Sequence, residues 1–170
     1  MDLKDKIVEY PDFPKRGILF RDIWPIVNEP EAFNFVLDRF EAHFNRKVKL
    51  IAGIESRGFV FASALAARLR KAFVPIRKQG KLPGPTVTVD YEIEYGSATM
   101  EMQTHALTPG NSVVIIDDLL ATGGTAEASA RLVTQLGGNI IGFGFVVELR
   151  SLGGKEKLQG FDVFSLVEYE

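Results

Sequence analysis

The chain has 170 residues, a formal net charge of −2 and no cysteine. Its length suits one domain with a substantial core, and its 46% apolar and 25% charged residues are ordinary for a globular protein. The weak net charge gives no reason to expect a nucleic-acid partner. The absence of cysteine excludes disulfides, zinc–thiolate sites and thiol nucleophiles, and it fits a reducing compartment.

The sequence also lacks the patterns of secreted and membrane proteins. Residues 1–6 are charged and have no apolar centre of the kind found in signal peptides. No apolar run approaches the roughly 20 residues that a membrane-spanning helix needs. We therefore expect a cytoplasmic protein without a membrane partner.

The N-terminal region is expected to be packed rather than extended. Residues 9–30 are rich in proline and aromatic residues, which linkers lack, so they predict an irregular but packed segment. Asn28 and Glu31 resemble a capping box, and the apolar residues that follow recur at helical spacing. This pattern predicts an amphipathic helix over residues 30–44.

From residue 48 onwards, apolar runs alternate with helical patterns. Strands are expected at residues 48–54, 73–76, 113–118, 140–147 and 161–167. Helices are expected over the alanine-rich residues 59–71 and between the glycine-rich turn near residue 123 and the glycine pair at 137–138. The alternation predicts an α/β fold with a mainly parallel twisted sheet flanked by helices.

Two segments between these strands have a different composition. Residues 77–85 are basic and too rich in glycine and proline for regular structure, so they predict a loop. Residues 86–104 show the alternation of strands and are expected to form strands around a mobile excursion.

The strand predicted at residues 113–118 ends in groups that suit a ligand. Asp117 and Asp118 close it, and the residues from Thr122 to Thr125, Thr-Gly-Gly-Thr, precede a helix. Two glycines allow successive backbone amides to converge on an anion, and the helix start adds its positive dipole end. Ligands of open α/β sheets bind at the carboxyl ends of the strands. This arrangement predicts a site for a molecule that carries a phosphate.

The two adjacent carboxylates extend this prediction. Buried like charges need partners, and ribose hydroxyls or a hydrated Mg²⁺ would supply them. The loop is neither a Walker A loop nor a dinucleotide-binding loop, because the glycine spacing and the terminal Gly-Lys-Ser/Thr are missing. An ordinary strand-to-helix turn with a capping aspartate would give similar letters, so the motif alone leaves that alternative open.

The run from Val113 to Thr125 resembles the phosphoribosyl-diphosphate motif of the type I phosphoribosyltransferases. Other segments are similar to the adenine-specific members of that family, namely residues 13–23, 51–59, 77–84, 94–96 and 165–170. The resemblance covers nearly the whole chain. It implies one type I phosphoribosyltransferase domain over residues 1–170, with a small hood at residues 1–30, a core at 31–170 and a flexible loop near 85–104.

The resemblance assigns the ribose 5-phosphate half of the donor to the motif. It implies that the 5′-phosphate binds to Ala121, Thr122, Gly123, Gly124 and Thr125. Asp117 and Asp118 would hold the ribose hydroxyls. The cofactor Mg²⁺ would be bound mainly through the substrate diphosphate and water, with no direct protein ligand.

The diphosphate half of the donor is assigned to basic residues elsewhere. The resemblance implies that it is bound by Glu55, Ser56, Arg57, Arg77, Lys78, Lys81 and Tyr95. An arginine fork matches phosphate oxygens, although an isolated arginine is more often part of a surface ion pair. The family also implies a homodimer, in which such basic residues can come from the partner subunit.

The resemblance places adenine against the N-terminal segment and catalysis on one acid. Leu19, Phe20 and Arg21 would line the base pocket, with backbone groups reading the base. Glu94 would move the proton that adenine N9 loses, or protonate the leaving diphosphate, once the loop closes. Without the resemblance, Phe20 fits a core residue and Glu94 a solvated strand residue.

The implied reaction transfers the 5-phosphoribosyl group from phosphoribosyl diphosphate to N9 of adenine, giving AMP and diphosphate. One alternative is the same fold acting on hypoxanthine-guanine, xanthine or orotate, which the N-terminal residues disfavour. A second alternative is a regulator that keeps the phosphoribosyl site, has lost catalysis and binds RNA or DNA. The sequence carries no appended helix-turn-helix and no basic arm that would favour it.

Overall fold

A computed structural model describes residues 1–44 and 48–170. Its helices are α1 (Trp24–Asn28), α2 (Pro30–Phe44), α3 (Gly58–Leu69) and α4 (Gly124–Gln135). Its strands are β1 (Val8–Pro11), β2 (Leu19–Asp22), β3 (Leu50–Ile54), β4 (Ala72–Lys78), β5 (Thr86–Glu92), β6 (Ser97–Gln103), β7 (Ser112–Leu120), β8 (Asn139–Leu149) and β9 (Val163–Tyr169). Short 3-10 turns lie at Leu3–Lys6, Arg150–Leu152 and Gly154–Leu158.

Seven strands form one sheet in the order β5-β6-β4-β3-β7-β8-β9. The five strands from β4 to β9 in this order pair in parallel, whereas β5 and β6 form an antiparallel hairpin at one edge. Parallel neighbours need crossover connections: α3 connects β3 to β4, α4 connects β7 to β8, and the 3-10 turns connect β8 to β9. The predicted α/β fold, a mainly parallel sheet flanked by helices, is confirmed.

Strand β7 shows why helices cover both faces of the sheet. Its successive side chains point to opposite faces, and both sets are fully buried. Val114 and Ile116 belong to the core that includes residues of α2 and α3, while Val113 and Ile115 belong to the core that includes residues of α4. A strand buried on both faces reads as a continuous apolar run, as seen in the sequence.

Two strands of the N-terminal segment form a small sheet of their own, while Ile7, Ile23 and Ile26 pack into the same core as α2 and α3. Among the described residues, strands β1 and β2 pair only with each other, in an antiparallel two-stranded sheet. The rings of Phe13 and Phe20 meet edge to face, with centroids 5.1 Å apart. This packed but irregular segment agrees with the expectation from its aromatic content. No helix in the described part of the chain is long and apolar enough to span a membrane.

Helix α2 has the predicted bounds, but four strands, β4, β7, β8 and β9, extend beyond theirs. The prediction of a loop from residue 77 is wrong for Arg77 and Lys78, which continue β4 because they pair with Glu101 and Met100 of β6. Strand β7 runs to Leu120 because it continues to pair with β8 there. These two extensions come from pairing with distant strands, which local composition does not encode.

Candidate active site

The two aspartates near the carboxyl end of β7 are buried side by side. Asp117 is 8% exposed and Asp118 6%. The Asp118 backbone N–H donates to Asp117 Oδ1 over 2.8 Å. Burial, and then the neighbouring charge of Asp118, raise the pKa of the Asp117 carboxyl well above its usual range. The pair therefore favours a ligand that offers hydrogen-bond donors.

Arg57 connects this pair to the N-terminal segment. Its Nη2 lies 2.9 Å from Asp118 Oδ2, and its Cζ lies 5.2 Å from the centroid of the Phe20 ring. Its Nη1 is buried and, among the described residues, has no hydrogen-bond partner. A buried donor without a partner is costly, so Arg57 is prepared to receive an acceptor from a ligand.

Glycine at the start of α3 lets that helix approach the aspartates. A Cβ atom on Gly58 would lie 2.7 Å from Asp117 Oδ1, a distance too short for a carbon and an oxygen that are not bonded. The peptide bond between Glu55 and Ser56, just before Arg57, is cis. The segment from Glu55 to Gly58 thus passes directly against the end of β7.

The loop after β7 turns sharply into α4. Gly123 is the N-cap residue of α4. Its φ of +82° is a left-handed backbone conformation that favours glycine. The turn at Gly154–Leu158 packs behind this loop: a Cβ atom on Gly154 would overlap the Ala121 carbonyl oxygen, and one on Gly123 would lie 2.6 Å from the Gly154 carbonyl oxygen. Two glycines in contact therefore fix the loop at the helix start, where backbone amides favour an anion.

A cavity of about 400 Å³ brings these groups together. Its lining consists of Arg57, residues 91–94 and residues 117–126. Glu94 of the β5–β6 turn therefore shares one cavity with the aspartates and the glycine loop. A larger cavity of about 490 Å³ lies between α4 and β5, but it contains neither aspartate and lacks this convergence of charges and amides.

The basic cluster predicted to bind diphosphate is held by a carboxylate. Arg77 Nε and Lys81 Nζ each lie 3.3 Å from Glu55 Oε2, and the Lys78 backbone N–H donates to Glu55 Oε1 over 3.4 Å. The Glu55 side chain is 6% exposed. Burial acts to raise its pKa, but these donors and cations outweigh burial and hold the Glu55 pKa below its usual value.

Some of the predicted site residues lie outside the cavity lining. Arg77, Lys78 and Lys81 do not line it, and neither does Tyr95, which is 81% exposed. Ser56 is also absent from the lining. The cavity thus brings together Arg57, Glu94 and residues 117–125. The basic cluster of Arg77, Lys78 and Lys81 lies on β4 and the turn that follows.

The predicted base-binding residues lie on β2. Phe20 approaches the site through its ring contact with Arg57. The Arg21 side chain points elsewhere: its Nε lies 3.1 Å from Glu9 Oε1 and its Cζ lies 4.0 Å from the centroid of the Tyr169 ring. Sequence reasoning missed Glu9, Gly154 and Tyr169, and of these only Tyr169 fell within a segment that carried the resemblance.

Comparison with known proteins shows the family of the chain. A family model described as the phosphoribosyl transferase domain matches residues 33–168. An adenine phosphoribosyltransferase of Nitrosopumilus maritimus is 51% identical over 170 residues, which cover 99% of this chain and 100% of the relative.

Solved structures of similar proteins have the same fold over nearly their whole length. An adenine phosphoribosyltransferase from Thermoanaerobacter pseudethanolicus has a TM-score of 0.94 at 48% identity and covers 98% of each chain. One from Saccharomyces cerevisiae, complexed with an imino-altritol bisphosphate and adenine, has a TM-score of 0.92 at 44% identity and covers 96% of each chain. The chain therefore belongs to the phosphoribosyltransferase family, in the group of the adenine phosphoribosyltransferases.

Proposed function

We propose that the chain transfers the 5-phosphoribosyl group from phosphoribosyl diphosphate to N9 of adenine, giving AMP and diphosphate in purine salvage. The observation that carries this function is the single cavity that joins a buried aspartate pair, a glycine loop at a helix start and Glu94. Full-length similarity to adenine phosphoribosyltransferases, one of them solved with adenine, supports adenine as the base.

The ribose 5-phosphate half of the donor fits the end of β7 and the start of α4. The backbone amides and hydroxyls of Thr122 to Thr125 would take the 5′-phosphate, helped by the positive end of the helix dipole. The carboxylates of Asp117 and Asp118 would accept hydrogen bonds from the ribose hydroxyls. Those hydroxyls would add donors to the two that the buried pair already has, the Asp118 backbone N–H and the Arg57 guanidinium.

The diphosphate half is assigned to Arg57 and the basic cluster. Arg57 has a buried donor without a partner among the described residues, and its planar fork suits phosphate oxygens. We propose that Arg77, Lys78, Lys81 and Tyr95 contact the diphosphate in a homodimer, with Ser56 as part of the same loop. Glu55 would then serve to position Arg77 and Lys81, because its carboxylate repels a polyanion but pairs with both of these cations.

The residues present suit a Mg²⁺ ion that the substrate carries. No group of three or more histidine, aspartate or glutamate side chains among the described residues could hold a metal ion. Asp117 and Asp118 offer carboxylate oxygens, which Mg²⁺ prefers, and could accept hydrogen bonds from its coordinated water. When bound to the diphosphate, the ion would neutralise charge on the leaving group.

Residues 1–30 are proposed to form the hood over adenine, against a core of residues 31–170. Backbone groups of Leu19 and Arg21 would read the edge of the base, and the Phe20 ring would pack against it. We propose that the loop near residues 85–104 closes over both substrates. Closure excludes water, which would otherwise hydrolyse a ribosyl cation-like species.

The chemical step exchanges one bond at C1′ of the ribose for another. The C1′–oxygen bond to diphosphate breaks, its electron pair leaves with the diphosphate, and N9 forms the new bond to C1′ with inversion. Glu94 lines the cavity and is the group proposed to accept the N9 proton or to protonate the leaving diphosphate.

We also propose that the protein is located in the cytoplasm, since the absence of cysteine fits a reducing compartment.

A direct assay tests this function. The purified chain is mixed with phosphoribosyl diphosphate and each of adenine, hypoxanthine, guanine, xanthine and orotate, with and without Mg²⁺, and the nucleotide is separated and quantified. We expect AMP from adenine only, and only with Mg²⁺. Turnover of another base in preference to adenine would overturn the base assignment, and the absence of any nucleotide would overturn the enzymatic function.

A further inference from the structure

We propose that Tyr169, at the C-terminal end of β9, is a positioning residue for the base-binding strand β2. Its aromatic ring holds the Arg21 side chain and thereby sets where the β2 backbone lies relative to adenine. This inference deepens the proposed function and rests on it, because it concerns the same base pocket.

The geometry around Arg21 leaves this side chain little freedom. Its guanidinium carbon lies 4.0 Å from the centroid of the Tyr169 ring, well within cation–π range. Its Nε lies 3.1 Å from Glu9 Oε1, and Glu9 is also the residue directly opposite Arg21 in the β1–β2 ladder. The Arg21 side chain is only 16% exposed. Arg21 is thus fixed between a carboxylate of its own small sheet and a ring of the large sheet.

That contact joins two sheets that share no ladder within residues 1–44 and 48–170. Strands β1 and β2 pair only with each other, and β1 is exposed along its whole length. Tyr169 pairs with Leu149 of β8 and so belongs to the seven-stranded sheet. Since the described part of the chain shows no backbone pairing between the two sheets, side-chain contacts must set the position of β2.

The contact also explains why an arginine serves at a position proposed to read adenine through its backbone. The side chain extends away from the cavity and is held at its far end, so the backbone at Arg21 is restrained from one side. Lys4 Nζ lies 5.2 Å from the same ring, so two cations contact Tyr169. Stacking requires the aromatic ring, and phenylalanine also supplies one.

The test compares Tyr169→Phe with Tyr169→Leu in steady-state kinetics. Loss of the ring should raise the KM for adenine about 3- to 20-fold, the range that a partly buried cation–π contact represents, and leave the KM for phosphoribosyl diphosphate unchanged. Tyr169→Phe keeps the ring but loses the hydroxyl that interacts with Arg21, so its KM for adenine should lie well below that of Tyr169→Leu. Phe161→Leu is the matched control, since Phe161 is a partly exposed ring just before β9 that meets the Phe143 ring edge to face instead.

A second readout does not depend on activity. Trp24 is the only tryptophan, is 42% exposed, and donates its backbone N–H to the carboxylate of Asp22, the last residue of β2. Tyr169→Leu should increase acrylamide quenching of Trp24 fluorescence, whereas Tyr169→Phe and Phe161→Leu should not. If wild-type protein fails to use adenine, the proposed function fails while this readout still tests the positioning.

Several results would overturn the inference. The first is an equal rise of both KM values in Tyr169→Leu. The second is a KM for adenine in Tyr169→Phe as high as that in Tyr169→Leu. The third is unchanged quenching of Trp24 fluorescence in Tyr169→Leu. If Tyr169→Leu does not yield folded protein, Arg21→Gln removes the cation of the same contact from the other side, because the glutamine amide carries no charge. That variant should show the same selective rise in the KM for adenine, and a normal KM for adenine would contradict the proposal.

Discussion

The guanidinium of Arg57 lies 2.9 Å from the carboxylate of Asp118, in the middle of the proposed donor site. The same guanidinium lies 5.2 Å from the Phe20 ring, which belongs to the proposed base-binding strand. Diphosphate oxygens would compete with Asp118 for the donors of Arg57. Donor binding should therefore free Asp118 for the ribose hydroxyls and alter the surroundings of Phe20 at the same time.

This arrangement predicts that Arg57→Lys weakens binding of phosphoribosyl diphosphate. A lysine keeps the charge but loses the planar fork, so we expect the KM for phosphoribosyl diphosphate to rise about 10-fold or more. Initial rates at saturating adenine measure this value. Arg150→Lys is the control, because Arg150 pairs with Glu168 and Glu170 at the surface. Equal KM values for wild type and Arg57→Lys would remove Arg57 from the donor site.

The buried negative charge of Asp117 should lower the free energy of unfolding at neutral pH, whereas the protonated carboxyl at low pH should not. Its raised pKa means that the folded chain holds this proton more tightly than the unfolded chain does. The resulting stabilisation is complete below the unfolded pKa of about 3.9, and it is lost as the pH rises from there to the raised folded pKa. Asp117→Asn removes the buried charge, so the variant should melt higher than wild type at pH 7, by about 3 °C for each kcal/mol gained.

Calorimetry from pH 4 to pH 8 measures this effect. Wild type should lose stability relative to Asp117→Asn as the pH rises, while the exposed-residue control Glu127→Gln should run parallel to wild type. The same Asp117→Asn variant should lose most of its activity, because it loses a ribose-binding carboxylate. A variant that is less stable than wild type at pH 7 would contradict the assigned cost of burying this charge.

The donor site could be predicted because its signals are local in the sequence. The continuous apolar run of β7, the two aspartates and the glycine turn lie within fourteen consecutive positions, 112–125, and strand alternation gives the sheet type. The contacts of Arg21 with Tyr169 and of Gly154 with Ala121 join residues that are far apart in the chain. No local pattern encodes such contacts, and the same is true of the pairing that draws Lys78 into β4.

Gly154→Ala should disturb the phosphate loop from behind. A methyl group at this position would overlap the Ala121 carbonyl oxygen, so the loop must shift away from the turn at Gly154–Leu158. We expect the KM for phosphoribosyl diphosphate to rise about 10-fold, as one or more hydrogen bonds to the charged phosphate are lost, with the KM for adenine unchanged.

Gly142→Ala provides the matched control for this substitution. A Cβ atom on Gly142 would lie 2.7 Å from the Phe44 ring, so the variant is also overpacked, but in the core and away from the loop. Both variants should lose thermal stability, and only Gly154→Ala should bind the donor more weakly. A similar KM for phosphoribosyl diphosphate in both variants would show that the turn does not position the loop.

Glu94→Gln should separate catalysis from binding. Glutamine has nearly the same shape but cannot take up a proton, so we expect kcat to fall about 100-fold or more, with both KM values within about twofold of wild type. Glu92→Gln is the matched control, because Glu92 lies in the same cavity and two positions away, and it should lose less activity. Full activity in Glu94→Gln, or an equal loss in Glu92→Gln, would show that position 94 has no special part in proton transfer.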